Sequence, residues 1–112
     1  MQPNEHKYSL IWLHGLGDTA IGFYDVFTKH VDLPDTCRVI LPTAPVRKVT
    51  VNMGMEMPAW FDIIGDFSDS DLSKTINQDE VTESVTFLTT LIQEEAKLLG
   101  NDPSRVFIGG FS

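Results

Sequence analysis

Residues 110–112, Gly110-Phe111-Ser112, form the first half of a Gly-x-Ser-x-Gly turn and follow a short β-favouring run, Val106-Phe107-Ile108. A serine hydroxyl is a poor nucleophile at neutral pH. Acyl transfer by Ser112 therefore needs a base to take its proton and hydrogen-bond donors to stabilise the oxyanion formed on attack. A strained strand-to-helix turn presents such a serine above a sheet, with glycines where a Cβ would collide. Gly-x-Ser is common by chance, and it is the strand ahead of it that supplies the context this chemistry demands.

A second glycine turn, His14-Gly15-Leu16-Gly17-Asp18, directly follows the run Tyr8-Ser9-Leu10-Ile11-Trp12-Leu13. A glycine-flanked backbone at that place can turn an N–H toward an oxyanion, which makes Leu16 the candidate donor. The alternative is a tight turn with a hydrogen-bonded, non-catalytic His14. Hydrolases of this kind place the basic histidine after the serine, so His14 is not the expected base. Gly15 to Ala20 also match the dinucleotide fingerprint G-x-G-x-x-A. That site requires an acidic side chain at the end of the second strand, where Leu41 is followed by Pro42, Thr43 and Ala44.

Both turns need strands to carry them. Residues 8–13 are short and nearly continuous in apolar character, as in a strand buried on both faces. After the turn, Ile21, Tyr24, Phe27 and Val31 recur near helical spacing, with Asp18 or Thr19 as N-cap. Arg38 to Leu41 make a second strand, stopped by Pro42 and Pro45. Thr43 to Gly65 are aperiodic and rich in Met, Pro and aromatics, and read as a long packed loop. Asp66 to Ser73 read as a solvated acidic connection; an EF-hand is discarded because its turn glycine is missing. From Gln78 to Leu99, Val81, Val85, Leu88, Ile92, Ala96 and Leu99 form one helical stripe, capped by Asn77 with Glu80 and ended by Gly100. Val106 to Ile108 read as a third buried strand. This alternation predicts an α/β fold with a parallel-type sheet and flanking helices, whose ligand sites lie beyond the carboxyl ends of the strands.

With both turns in place, three stretches are similar to the acyl-protein thioesterase and phospholipase/carboxylesterase family: LHGLGDTAIGF at 13–23, LPTAPVRKVTVNMGMEMPAWFDIIG at 41–65 and SRVFIGGFS at 104–112. The resemblance implies residues 1–112 to be the amino-terminal half of a single α/β-hydrolase domain. It implies a cytoplasmic serine hydrolase that removes fatty acyl groups, notably palmitate, from protein thioesters, often with activity on lysophospholipids or small esters, and without a cofactor or metal. Carried over by motif, Ser112 matches the nucleophile, Leu16 an oxyanion-hole N–H, and Ile63 part of the acyl channel. Met53, Met55 and Met57 are further candidates for that channel, because unbranched thioethers adapt to a flexible chain. Ala20 and Phe23 stand where the family commonly has Gly and Trp, and Asp66 where it often has an apolar residue.

The family's Asp, its His and the Gln-Gly-Gly that completes the elbow lie after the serine. The expectation is that this chain alone is inactive and exposes apolar faces and an unpaired edge on its last strand. A complementing carboxy-terminal half is one expected partner. The alternative function is a catalytically silent chain that binds acylated proteins or a partner.

Composition limits the remaining classes. Eight basic against sixteen acidic residues give a net charge of −8, which opposes attraction to nucleic acid or to an anionic membrane beyond transient contact. No apolar stretch approaches the roughly 18 residues of a membrane-spanning helix. The single cysteine, Cys37, fits a reducing compartment.

Overall fold

The computed structural model describes residues 5–65 and 75–112. In chain order the elements are β1 (Tyr8–Leu13), α1 (Ala20–Asp25), β2 (Cys37–Ile40), β3 (Val46–Val49), β4 (Met55–Pro58), α2 (Gln78–Leu98) and β5 (Val106–Gly110). Strands β2, β1 and β5 form a parallel sheet in that order, as the alternation of elements predicts. Leu10 pairs with Val39 on one side and with Phe107 on the other.

The two helices pack on opposite faces of this sheet. Ser9 and Ile11 are fully buried, and Ser9 meets Glu95 of α2. On the other face Trp12 packs edge-on against Phe23 and Phe27, with ring centroids 5.7 and 5.5 Å away. The predicted stripe of Ile21, Tyr24, Phe27 and Val31 is therefore corrected: Ile21 is 83% exposed, and Phe23 and Phe27, four residues apart, cover the sheet. The large indole on β1 selects the aromatic pair. Beyond Asp25 the helix widens into a π-turn over Val26–His30, closed by Val31 N–H to Val26 O. Thr19 is the N-cap but its side chain makes no cap bond; the Ala20 N–H instead donates to Thr43 Oγ1 in the segment after β2.

The expected loop from Thr43 to Gly65 contains a β-hairpin. Strands β3 and β4 pair antiparallel from Val46↔Pro58 to Val49↔Met55. Their connection is one 3₁₀ turn, Thr50–Asn52, followed by Met53 and Gly54 at φ +59° and +72°. A left-handed methionine carries no sequence signature, so the hairpin is hidden from a reading that looks for Asn-Gly or Asp-Gly turns.

Helix α2 begins as predicted, with the Glu80 N–H donating to Asn77 Oδ1. The Glu80 carboxylate does not return to Asn77, as a full capping box would have it. It accepts from the Asp62 N–H at 2.8 Å and pairs with Arg47 Nη1 at 3.0 Å, so it ties the helix to the hairpin segment. At the other end Gly100 has φ +74° and the Asn101 N–H donates to Ala96 O. The predicted stripe lies on the packed face, with Ala96 buried and Val81, Leu88, Ile92 and Leu99 half-buried; of its six residues Val85 alone is exposed, and Ser84 and Glu95 are buried in addition. Burial of Glu95 is tolerated because Ser9 Oγ donates to it at 2.8 Å and Arg38 Nε stands 3.7 Å away.

Strand β5 is not the buried strand its composition suggests. It lies at the sheet edge among the described strands, and Phe107 and Ile108, on opposite faces, are each about half exposed. The acidic stretch Asp66–Ser73 lies outside the described residues.

Candidate active site

Strands β1 and β5 run side by side in the same direction, with Leu13 paired to Gly110. The ladder extends one bond further, from the Phe111 N–H to Leu13 O. Two residues on, this register brings Gly15 and Ser112 level with one another at the carboxyl end of the sheet. A Cβ built on Gly15 would stand 3.1 Å from Phe111 O, 3.3 Å from Ser112 Cβ and 3.8 Å from Ser112 Oγ. Glycine leaves this close approach unstrained, whereas a Cβ would force the Phe111 carbonyl and the serine to give by a few tenths of an ångström. Ser112 itself has φ +57°, a left-handed conformation that an L-residue adopts at a cost of about 1–3 kcal/mol and that recurs at functional sites.

The turn after β1 closes by a hydrogen bond from the Asp18 N–H to Gly15 O, with Gly17 at φ +80° as a type II turn requires at its third residue. The Gly17 N–H is taken by Pro58 O at 2.9 Å. Among the described residues the Leu16 N–H has no partner. His14 is buried beneath the turn, its ring 5.2 Å from that of Trp60. Its Nε2 accepts from the Ala44 N–H at 2.9 Å, and its Nδ1 lies 2.7 Å from Gly15 O. A backbone amide can only donate, so the ring proton sits on Nδ1 and is donated to Gly15 O. Both ring nitrogens are thus occupied, which leaves His14 nothing with which to take a proton from Ser112.

A second set of contacts holds the opposite wall. Trp60 Nε1–H donates to His14 O at 3.0 Å, and Trp60 O accepts from Arg47 Nη2 at 3.4 Å and from Ser84 Oγ. Asp62 accepts from the Thr50 N–H and Thr50 Oγ1, at 2.8 and 2.6 Å, so its carboxylate braces its own segment. Leu13, His14, Leu16, Trp60, Phe61, Ile63, Gly110, Phe111 and Ser112 enclose an open, largely apolar cleft of about 410 Å³. The structure thus brings Leu16, Ile63 and Ser112 into one cleft, although they come from three distant stretches of sequence. Met53, Met55 and Met57 do not line it: Met53 is 91% exposed at the hairpin turn, and Met57 lies against Gly17 and Asn52. Met55 and Met57 belong to the paired strand β4, and Met53 lies in the turn before it. The bracing roles of Arg47 and Glu80 were missed by sequence reasoning, since nothing in an isolated Arg or Glu marks a link between a hairpin and a helix.

Residues 2–112 match the family model described as Phospholipase/Carboxylesterase. The chain belongs to this family. It is 36% identical over 113 residues to acyl-protein thioesterase 1 of Emericella nidulans, a match covering 96% of this chain and 47% of that relative. For the protein of the same name from Mycosarcoma maydis the identity is 38%, covering 93% and 46%. The crystal structure of Arabidopsis thaliana SOBER1 superimposes with a TM-score of 0.79 at 30% identity, covering 95% of this chain and 50% of that one. Zea mays acyl-protein thioesterase 2 gives a TM-score of 0.70 at 30% identity, covering 100% and 44%. The chain spans about half the length of the curated relatives it matches. The partial α/β-hydrolase fold implied by the family resemblance is the fold observed.

Proposed function

We propose that residues 1–112 supply the nucleophile, one oxyanion-hole donor and part of the acyl-binding wall of a hydrolase that cleaves fatty acyl thioesters of proteins or small acyl esters. The observation that carries this reading is the contact between Gly15 and Ser112, which sets a left-handed serine beside a turn whose Leu16 N–H is unpartnered among the described residues. In the proposed reaction Ser112 Oγ attacks the acyl carbon while its proton passes to a base, and the Leu16 N–H binds the oxyanion. Collapse of that intermediate expels the thiol or alcohol and leaves an acyl-enzyme, which water hydrolyses. The apolar cleft beside Trp60, Phe61 and Ile63 accommodates the acyl chain.

His14 is the one titratable side chain among the described residues lining the cleft, and its ring is engaged. On this reading the base is not among the described residues that line the cleft, and the 112-residue chain by itself is expected to be inactive. S-acylated proteins as substrates, and a cytoplasmic setting suited to the free Cys37, belong to the same proposal. A second reading, a silent chain that binds a partner through exposed Phe107, Ile108 and Phe111, predicts ordered binding without turnover.

The test is labelling by a fluorophosphonate probe of the full open reading frame that carries these residues, beside the 112-residue chain. Labelling of the longer protein that disappears in Ser112→Ala, with none of the short chain, is the expected result. Labelling that survives Ser112→Ala ends the proposal.

A further inference from the structure

We propose that His14 is a positioning residue that aims the Leu16 N–H by holding the other end of the same peptide plane. The inference rests on the hydrolase reading above and deepens it. The Gly15–Leu16 peptide is planar and trans, so its C=O and N–H point in opposite directions and cannot turn independently. Gly15 O is gripped by two donors, the His14 Nδ1–H at 2.7 Å and the Asp18 N–H at 3.1 Å. With the carbonyl fixed toward the buried ring, the Leu16 N–H is fixed away from it.

Three further contacts hold the imidazole in the state this task needs. The Ala44 N–H at Nε2 places the ring proton on Nδ1, where it can be donated. The Trp60 indole lies against the ring and donates to His14 O, which fixes the residue's own backbone. His14 is nearly fully buried, so water does not compete for Gly15 O. Asp18 alone would leave the turn closed yet free to rock about its ends, because Gly15 and Gly17 offer little torsional resistance. Rocking would blur a donor whose value in catalysis depends on being in place before charge develops.

The chemistry separates two variants of similar polarity. In His14→Asn the side-chain amide nitrogen occupies the position of Nδ1 and still donates to Gly15 O, although the acceptor for Ala44 is lost. In His14→Gln the amide reaches the position of Nε2, so it can accept from Ala44 but no longer holds Gly15 O. In the full open reading frame, measured with a small acyl ester, His14→Gln is expected to lower kcat by roughly 10- to 100-fold with KM little changed. His14→Asn is expected to recover most of that loss. Affinity for a trifluoromethyl ketone, whose adduct carries the oxyanion, is expected to fall in parallel with kcat.

Melting temperature separates this role from a structural one. Equal kcat in the two variants, or losses that follow melting temperature instead of the Gly15 contact, would overturn the proposal while leaving the hydrolase reading intact. If the wild-type reading frame has no activity that depends on Ser112, the underlying reading fails and this inference fails with it.

Discussion

Gly15 and Ser112, ninety-seven positions apart in the chain, approach so closely that a single added methyl on the first would stand 3.3 Å from the Cβ of the second. The contact follows from the parallel pairing of β1 with β5, whose register at Leu13↔Gly110 delivers two glycine-bearing turns to one end of the sheet. A one-residue slip in this ladder would send the serine to the wrong face.

Gly15→Ala should therefore damage the site more than the fold. The new methyl meets the Phe111 carbonyl at 3.1 Å, and a backbone atom cannot swing aside as a side chain would. The turns must move apart. The shift needed is a few tenths of an ångström, a fraction of the roughly 1 Å misplacement that costs about 100-fold in rate, so the rate should fall by less than about 100-fold, against about 1–3 kcal/mol of stability from overpacking. Ser112-dependent probe labelling and a urea melt of the same preparation measure the two effects.

Gly109→Ala should do the reverse. A Cβ there would come within 2.8 Å of two carbons of the Trp12 ring, which also packs edge-on against Phe23 and Phe27. The expected loss is about 1–3 kcal/mol, with a changed tryptophan emission spectrum. Unchanged emission and stability would mean that the ring does not lie over β5.

Ser9 and Glu95 join β1 to α2 through one buried hydrogen bond at 2.8 Å, and His6 Nε2 lies 2.7 Å from the same serine oxygen. Removing the serine hydroxyl leaves a buried carboxylate oxygen short of a donor, so Ser9→Ala should cost about 1–3 kcal/mol despite its small change in volume. Glu95→Gln should weaken the same link. A double-mutant cycle of these two substitutions is expected to give a coupling of about 0.5–3 kcal/mol; additivity would place the residues apart.

Burial pushes the Cys37 thiol above its ordinary value, an effect only partly offset by a hydrogen bond from the Leu10 backbone. The folded chain then holds the thiol proton more tightly than the unfolded chain does. Stability from this source is complete below the ordinary thiol range and is lost as pH rises through the raised folded value. Thiol labelling of the folded chain should accordingly turn on at higher pH than labelling in urea, and Cys37→Ala should flatten the alkaline decline in stability. Coincident labelling profiles would show an unburied thiol.

Much of this molecule was legible in its sequence because local periodicity and glycine placement are local physics. The strand ahead of each glycine turn, the Asn77 cap, the end of α2 at Gly100 and the parallel sheet all follow from spacing that needs no distant partner. The hairpin between 46 and 58 did not, since its turn rests on a left-handed Met53 that only the pairing of its strands stabilises. The stripe on α1 and the place of Val85 on α2 were misread for a related reason. Which residues of an amphipathic helix are buried depends on what lies opposite, here Trp12 for α1 and Ser9 for α2.

By itself the sequence determined which residues carry reactive or donating groups and which strands precede them, because those properties belong to single residues and short windows. Only the tertiary structure decided that Leu16, Ile63 and Ser112 share one cleft, that the methionines stand outside it, and that His14 spends both ring nitrogens on the backbone. The physical reason is register. Hydrogen-bonded strands convert separation along the chain into position across a sheet, and neither composition nor spacing specifies which rung meets which.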